Sequence, residues 1–136
     1  MVNKVAKGKR AERELAKLLE GMGYATWRPA WHRYGSKDVF NIADIVAVRK
    51  KGSTAEPFGS TPFPLFLIQV KTNRSDFYKA RKQMREFVKG VEGNINVSVA
   101  LKIRGSKYRL FITDGREEQE FMYDFKKREK FPINKR

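Results

Sequence analysis

The spacing of apolar residues predicts a helix at the start of the chain. Between Asn3 and Met22 the apolar residues recur at helical intervals, at Val5, Leu15, Leu18, Leu19 and Met22. Gly21 and Gly23 are expected to end this helix. A short strand from Tyr24 to Ala30 should follow, with Pro29 bringing it to its end.

Two later segments consist largely of apolar and β-branched residues, and they predict buried strands. These segments are Asn41 to Arg49 and Leu65 to Lys71. Glycine and proline recur between them, from Lys50 to Pro64, which indicates a long, mobile loop joining two adjacent strands. A tolerated surface insertion is the simplest interpretation of that loop.

The second half of the chain predicts one more helix and two strands. Ser75 or Asp76 can cap a helix that runs to about Lys89, with its apolar face formed by Phe77, Ala80, Met84, Phe87 and Val88. Ile95 to Ile103 and Tyr108 to Thr113 alternate as strands around a turn. Residues 125–136 have the composition of a basic C-terminal tail. The order of elements predicts an α/β fold with a central mixed five-stranded sheet flanked by helices.

Composition adds an expected class of partner to this picture. The chain has 136 residues, a length that suits a single domain over 1–136. Its 30 Lys and Arg against 15 Asp and Glu leave a formal charge of +15, which favours a polyanionic partner such as nucleic acid. The absence of cysteine excludes disulfides, thiolate nucleophiles and cysteine zinc sites. No apolar run is long enough to span a bilayer and no signal peptide is evident, so a cytoplasmic, intracellular protein is expected, encoded by a cell or a virus.

Four polar residues interrupt the apolar patterns, and they point to chemistry. Glu12 lies along the apolar face of the first helix. Asp44 lies inside the first buried strand, on the face of Ile42, Val46 and Val48 by simple alternation. Gln69 and Lys71 share a face at the end of the next strand. Each residue alone has an ordinary structural explanation.

Taken together, the four residues predict a magnesium-dependent phosphodiesterase site. Mg²⁺ prefers oxygen ligands and needs only one or two carboxylates. The Asp44 carboxylate and the Gln69 side-chain oxygen can supply ligands, with the backbone carbonyl of Val70 as a third. Lys71 can orient an attacking water or stabilise the charge on a phosphate in flight.

The same residues carry a family resemblance. GKRAEREL in the first helix, NIADIVAV, LFLIQVKT and the basic helix YKARKQMREFV resemble the archaeal Holliday junction resolvases of the PD-(D/E)xK nuclease superfamily. The resemblance covers roughly Lys7 to Thr113. It implies a restriction-endonuclease-like fold and a homodimer that makes paired, Mg²⁺-dependent cuts in four-way DNA junctions during recombination and repair, with Mn²⁺ as a substitute metal.

Roles for individual residues follow from this resemblance. It places the catalytic and metal-binding functions on Glu12, Asp44, Gln69 and Lys71, and adds Arg13 and Ser36 to the catalytic set. Gln69 departs from the family pattern, because the family usually has glutamate there. An amide removes one negative ligand and should weaken metal binding, although its oxygen can still ligate.

Clustered cations predict the DNA-binding surface. They lie in the first helix, in the loop before Asp44 and on the second helix, at Lys7, Lys9, Arg10, Arg13, Arg33, Lys37, Lys79, Arg81, Lys82 and Arg85. The principal hypothesis is a junction-resolving endonuclease. Two alternatives remain, namely a nuclease of the same fold that acts on flaps, nicks or duplex DNA, and a non-catalytic protein that binds branched DNA.

Overall fold

The computed structural model describes residues 4–29, 40, 42–93 and 95–133, with residues 4–6 described by backbone alone. The elements in chain order are α1 (Lys4–Gly21), β1 (Tyr24–Trp27), β2 (Ile45–Arg49), β3 (Leu65–Lys71), α2 (Arg74–Lys89), β4 (Asn96–Arg104), β5 (Lys107–Thr113), β6 (Glu118–Asp124) and β7 (Glu129–Phe131). Within this part of the chain, no helix is both long enough and apolar enough to cross a membrane.

All strands of the described chain form one mixed sheet in the order β1-β2-β3-β4-β5-β6-β7. Neighbouring strands are antiparallel except β3 and β4, which are parallel and are connected through α2. The α/β class and the mixed sheet are therefore confirmed, whereas the strand count of five is wrong, because the sheet has seven strands.

The two strands missing from the prediction are β6 and β7. β6 begins with the polar residues Glu118, Gln119 and Glu120, and β7 lies within the segment expected to be a basic tail. Both lie at one end of the sheet, where polar and charged side chains are common and conceal the alternation that marks a strand.

The helices cover opposite faces of the sheet. α1 packs through Ala11, Leu15 and Leu19 against one apolar core, which includes Ile45, Ile68 and residues of β5 and β6. α2 packs through Phe77, Ala80, Met84 and Val88 against a second core on the other face, which includes Leu67, Val99 and Leu101.

The N-cap of α2 lies two or three residues before the predicted capping site. Asn73, rather than Ser75 or Asp76, is the N-cap, and its side chain accepts a hydrogen bond from the Asp76 amide at 2.9 Å. Gly90 follows the last residue of the helix, as predicted.

Residues 50–64, which join the antiparallel strands β2 and β3, are anchored and do not fit the prediction of a mobile loop. Phe58 is buried and stacks on Phe66 with a centroid separation of 4.5 Å. The Tyr24 hydroxyl donates to the Glu56 carbonyl (3.2 Å), and the Tyr123 hydroxyl donates to the Glu56 carboxylate (3.0 Å). The loop is therefore part of the core on the α1 side.

Gly23 allows this loop to approach the end of α1 closely. Its φ of +99° is unfavourable for other residues, and a Cβ there would lie 2.2 Å from the Cβ of Ser53. The Ser53 hydroxyl and the Lys50 amide both donate to the Gly23 carbonyl, at 3.0 Å each. The glycine that follows the helix is thus also the docking point of the loop.

Candidate active site

Asp44 lies immediately before β2, at an irregularity in its pairing with β3. The Asp44 amide donates to the carbonyl of Ile68 (2.8 Å), which is the residue that Ile45 faces in the register. Two residues therefore oppose one, as in a β-bulge. Ala43 belongs to the core on the α2 side and Ile45 to the core on the α1 side, although they are two residues apart.

Because of this extra residue, simple alternation does not assign a face to Asp44. The alternation is broken between Ala43 and Ile45, so the positions of Ile42 and Val46 give no guide to the direction of the Asp44 side chain. Bulges are common next to active sites, where they direct a side chain that a regular strand would place elsewhere.

The Asp44 carboxylate is held by the neighbouring strand. Its Oδ2 accepts a hydrogen bond from the Val70 amide at 2.8 Å. In an antiparallel ladder the N–H and C=O of one residue point to the same side, so the Val70 carbonyl is directed towards the same edge of β3 as this amide. The Asp44 carboxylate and the Val70 carbonyl, two of the predicted ligands, therefore belong to one small region.

Gln69 and Lys71 interact directly at the end of β3. With its amide oriented to satisfy both neighbours, Gln69 donates from Nε2 to the Ile42 carbonyl (3.2 Å) and accepts on Oε1 from Lys71 Nζ (3.3 Å). The Gln69 side chain is buried. The amide thus connects the segment before Asp44 to the Lys71 ammonium, and the structure brings Asp44, Gln69 and Lys71 together.

Glu12 lies on α1, one residue from the buried Ala11. Its side chain is 13% exposed and forms an ion pair with Lys9 at 3.5 Å. The carboxylate is therefore mostly shielded from solvent, as its predicted position on the apolar face of the helix requires.

A polar contact that the sequence did not reveal fixes α1 against the sheet. The Glu14 carboxylate forms an ion pair with Lys102 and accepts a hydrogen bond from the Tyr108 hydroxyl at 2.6 Å. Burial raises the pKa of Glu14, but the bonds from Lys102 and Tyr108 outweigh it and leave that pKa below its usual value. Burial and the bond to Glu14 raise the pKa of Tyr108. Glu14 thereby sets the position of the helix that carries Glu12.

The donor set fits a hydrated Mg²⁺ ion. It consists of oxygen atoms from one carboxylate, one side-chain amide and one backbone carbonyl, and Mg²⁺ accepts one or two carboxylates while keeping several waters. Among the described residues there is no group of three or more His, Cys, Asp or Glu side chains that could bind a metal. A transition-metal site of the histidine or cysteine type is therefore not formed by these residues.

Several predicted DNA-binding cations lie on α1. Lys7, Arg10 and Arg13 are exposed, and Lys9 and Arg13 line a groove of about 580 Å³ between α1 and β1. The groove also contains Lys17 and Arg28, which the sequence patterns did not single out. Each of these two residues is an isolated cation in the sequence, so neither stood out as part of a cluster. The packing of α1 beside β1 brings them into the same groove as Arg13.

The basic stripe on α2 is divided by carboxylates of β6. Arg81 forms an ion pair with Glu120, and Arg85 donates to both oxygens of Glu118 at 2.8 and 2.9 Å. These pairings raise the pKa of Arg85 and lower that of Glu118. Lys79 and Lys82 are exposed and have the access that a phosphate contact needs. Because β6 was not predicted, all of the cations on α2 were expected to be available to DNA.

Arg33, Ser36 and Lys37 lie outside the described residues. The catalytic role expected for Ser36 and the DNA contacts expected for Arg33 and Lys37 remain predictions.

A comparison with protein-family models confirms the resemblance. The model of the archaeal Holliday junction resolvase family (Hjc) matches residues 3–131 of the chain. The chain therefore belongs to the archaeal Holliday junction resolvase family, and this membership supports a nuclease fold and a junction-resolving nuclease. No curated protein and no solved structure matches the chain.

Proposed function

We propose that this protein is a Mg²⁺-dependent endonuclease, a single nuclease domain that binds four-way DNA junctions as a homodimer and resolves them by paired phosphodiester hydrolysis. The observation that carries the proposal is the joining of Asp44 to Val70 and of Gln69 to Lys71 at one end of β3, in a chain of the resolvase family.

The proposal assigns the metal to oxygen atoms of four residues. The Asp44 carboxylate, the Gln69 amide oxygen and the Val70 carbonyl would bind it directly, with Glu12 supporting it from α1. When bound, Mg²⁺ acidifies its water and neutralises charge that develops on the phosphate, and Mn²⁺ has the same preference for oxygen.

Lys71 has the role of a positioning and electrostatic group. Its ammonium is already oriented by the Gln69 oxygen at 3.3 Å, so little reorganisation is needed when a phosphate arrives. Arg13 and Ser36 are proposed to assist at the scissile phosphate.

The cations of α1 and α2 are proposed to hold the DNA arms. Such contacts fix position without reading sequence, which suits an enzyme that recognises the shape of a junction. A homodimer with two-fold symmetry presents two equivalent sites, and these match the two opposing strands that resolution must cut.

One observation favours a second candidate, a non-catalytic protein that binds branched DNA. Gln69 is an amide, and it already uses Nε2 and Oε1 within the protein. A site with one fewer negative ligand binds Mg²⁺ more weakly.

Cleavage of an end-labelled substrate panel tests the proposal. The panel contains a four-way junction, a flap, a nicked duplex and a linear duplex of shared sequence, each incubated with EDTA, Mg²⁺ or Mn²⁺. Paired cuts in the junction that require metal are expected. Equal cleavage of the linear duplex would refute junction selectivity, and tight binding without cleavage in either metal would establish the binding-only function.

A further inference from the structure

Five residues form a straight row across the sheet, starting at the candidate active site. The registers pair Lys71 with Leu101, Leu101 with Arg109, Arg109 with Met122, and Met122 with Phe131. Directly paired residues share a face, and Leu101 belongs to the core on the α2 side, so the whole row lies on that face. Four strand spacings of about 4.8 Å separate Lys71 from Phe131 by ~19 Å.

A groove follows this row from β4 to β7. Its volume is about 440 Å³, within the range of ligand-binding sites. Its apolar lining consists of three members of the row and three neighbouring residues, namely Leu101, Met122, Phe131, Ile103, Pro132 and Ile133. Ile103 is 44% exposed, so the groove presents apolar surface to solvent.

The charged groups of the groove are all cations. Arg74, Lys107 and Arg109 line it, and no carboxylate belongs to its lining residues. Arg109 is held by Glu120 at 2.9 Å, whereas Arg74 and Lys107 form no ion pair with a carboxylate among the described residues. Lys107 Nζ lies 5.4 Å from the centroid of the Phe131 ring, so a cation and an aromatic face adjoin each other.

We propose that this groove binds unpaired nucleotides of the DNA strand that leads to the candidate active site. Arg74 and Lys107 would contact phosphates, while a base packs on Phe131 and Ile103. Anionic backbone combined with exposed aromatic faces is the chemistry of single-stranded nucleic acid, and such sites pair cations with aromatic platforms. A fully paired arm conceals its base faces and would leave the apolar lining without a partner.

The inference rests on the proposed function for its substrate and deepens it. It assigns to the groove a preference for branch points with unstacked bases. The contacts of Asp44, Gln69 and Lys71 do not explain such a preference. Phe131 is the residue that most directly tests this assignment.

Binding assays in EDTA, with three labelled DNAs, test the proposal apart from cleavage. The DNAs are a gapped junction with a few unpaired nucleotides at the branch, a fully paired junction and a linear duplex. Phe131→Ala is expected to weaken binding of the gapped junction by about tenfold, a typical loss for one base stack, and to leave duplex binding unchanged. Phe131→Tyr should bind like the original protein. Phe63→Ala, which removes an exposed aromatic in the 50–64 loop, is the matched control.

A second measurement serves if Phe131→Ala does not fold. The original protein is photo-crosslinked to 5-iodouracil placed in the unpaired segment, and the modified peptide is identified. Attachment within residues 129–133 supports the proposal, whereas attachment only elsewhere overturns it.

Two further outcomes would also overturn the proposal. One is an equal loss of affinity for all three DNAs in Phe131→Ala. The other is dissociation of a dimer by this substitution, measured by light scattering, since the groove would then be an interface between copies of the chain. Failure to cut a junction in Mg²⁺ would refute the proposed function alone, because the binding assays contain no metal.

Discussion

The carboxylate of Asp44 and the backbone amide of Val70 are joined by a hydrogen bond of 2.8 Å. This bond joins the acidic residue that immediately precedes β2 to the penultimate residue of β3, beside the Gln69–Lys71 contact. The metal-binding geometry proposed for this chain depends on that relationship, because Asp44 is displaced from a regular strand position by the extra residue in the pairing.

Asp44→Asn is expected to abolish most metal-dependent cleavage while junction binding persists. The amide keeps the shape and the acceptor oxygen but loses the negative ligand. Junction cleavage in Mg²⁺ should fall by at least ~100-fold, since metal assistance contributes several kcal/mol to such reactions. The matched control is Glu86→Gln at an exposed position of α2, which should cleave normally. Unchanged cleavage by Asp44→Asn would remove Asp44 from the proposed metal site.

Gln69→Glu should lower the Mg²⁺ concentration needed for half-maximal cleavage by about tenfold, because it adds a charged oxygen ligand. The same substitution removes the donation from Nε2 to the Ile42 carbonyl, which should reduce stability in EDTA by about 1–3 kcal/mol. Metal titration of cleavage and urea denaturation without metal measure the two effects. An unchanged metal requirement would show that position 69 does not contact the ion.

Glu14→Gln should destabilise the protein at neutral pH and matter less in acid. The folded state lowers the pKa of Glu14, so this carboxylate stabilises the fold above its unfolded pKa of about 4.5. That contribution is lost as the pH falls through the lower folded value. The side chain is 43% exposed, and after solvent screening the neutral-pH effect should be about 1 kcal/mol.

Thermal unfolding of Glu14→Gln and the original protein at pH 7 and pH 3 measures this difference. Glu117→Gln, at an exposed turn, is the control. A gap between the two proteins that widens in acid would contradict the assignment of Glu14 to the Lys102–Tyr108 contact.

Phe58→Ala should cost about 3–5 kcal/mol of unfolding free energy, the usual loss for a buried phenylalanine. Phe63→Ala in the same loop should cost under about 1 kcal/mol, because that ring is 44% exposed. Urea denaturation of both variants measures the contrast. Equal, small effects would mean that residues 50–64 are not anchored to the core.

Lys82→Ala and Arg85→Ala should differ in their effect on the salt dependence of junction binding. Loss of one phosphate contact reduces the slope of log Kobs against log salt by about 0.9. Lys82 is exposed and should show most of that change, whereas Arg85 is engaged by Glu118 and should show less than about half of it. A larger change for Arg85 would indicate that DNA displaces Glu118.

The sequence pattern identified residues that the structure brings together, but not the direction of each side chain. Asp44, Gln69 and Lys71 stood out because polar residues in apolar strands are costly unless they have partners, and the structure brings them together. The face of Asp44 could not be derived, because the extra residue in the pairing leaves no local composition signal.

Segments that consist largely of apolar residues were predicted close to their observed bounds, whereas the more polar strands β6 and β7 were missed. β3 has the bounds expected from its apolar run, and α2 ends where Gly90 indicated. β6 begins with three polar residues before its buried Phe121 and Tyr123, and β7 has only three residues, so neither strand shows a long apolar pattern. The ion pairs of Arg81 and Arg85 were missed for the same reason, since their carboxylate partners lie on β6.

Glu56 accepts hydrogen bonds from the hydroxyl groups of Tyr24 on β1 and Tyr123 on β6, two strands that four others separate in the sheet order. The ladder of strand pairing connects β1 to β6 only through those four strands, whereas Glu56 connects them directly. A loop whose composition indicated a surface insertion therefore links distant strands of the sheet, and a substitution at Glu56 would act on both of them at once.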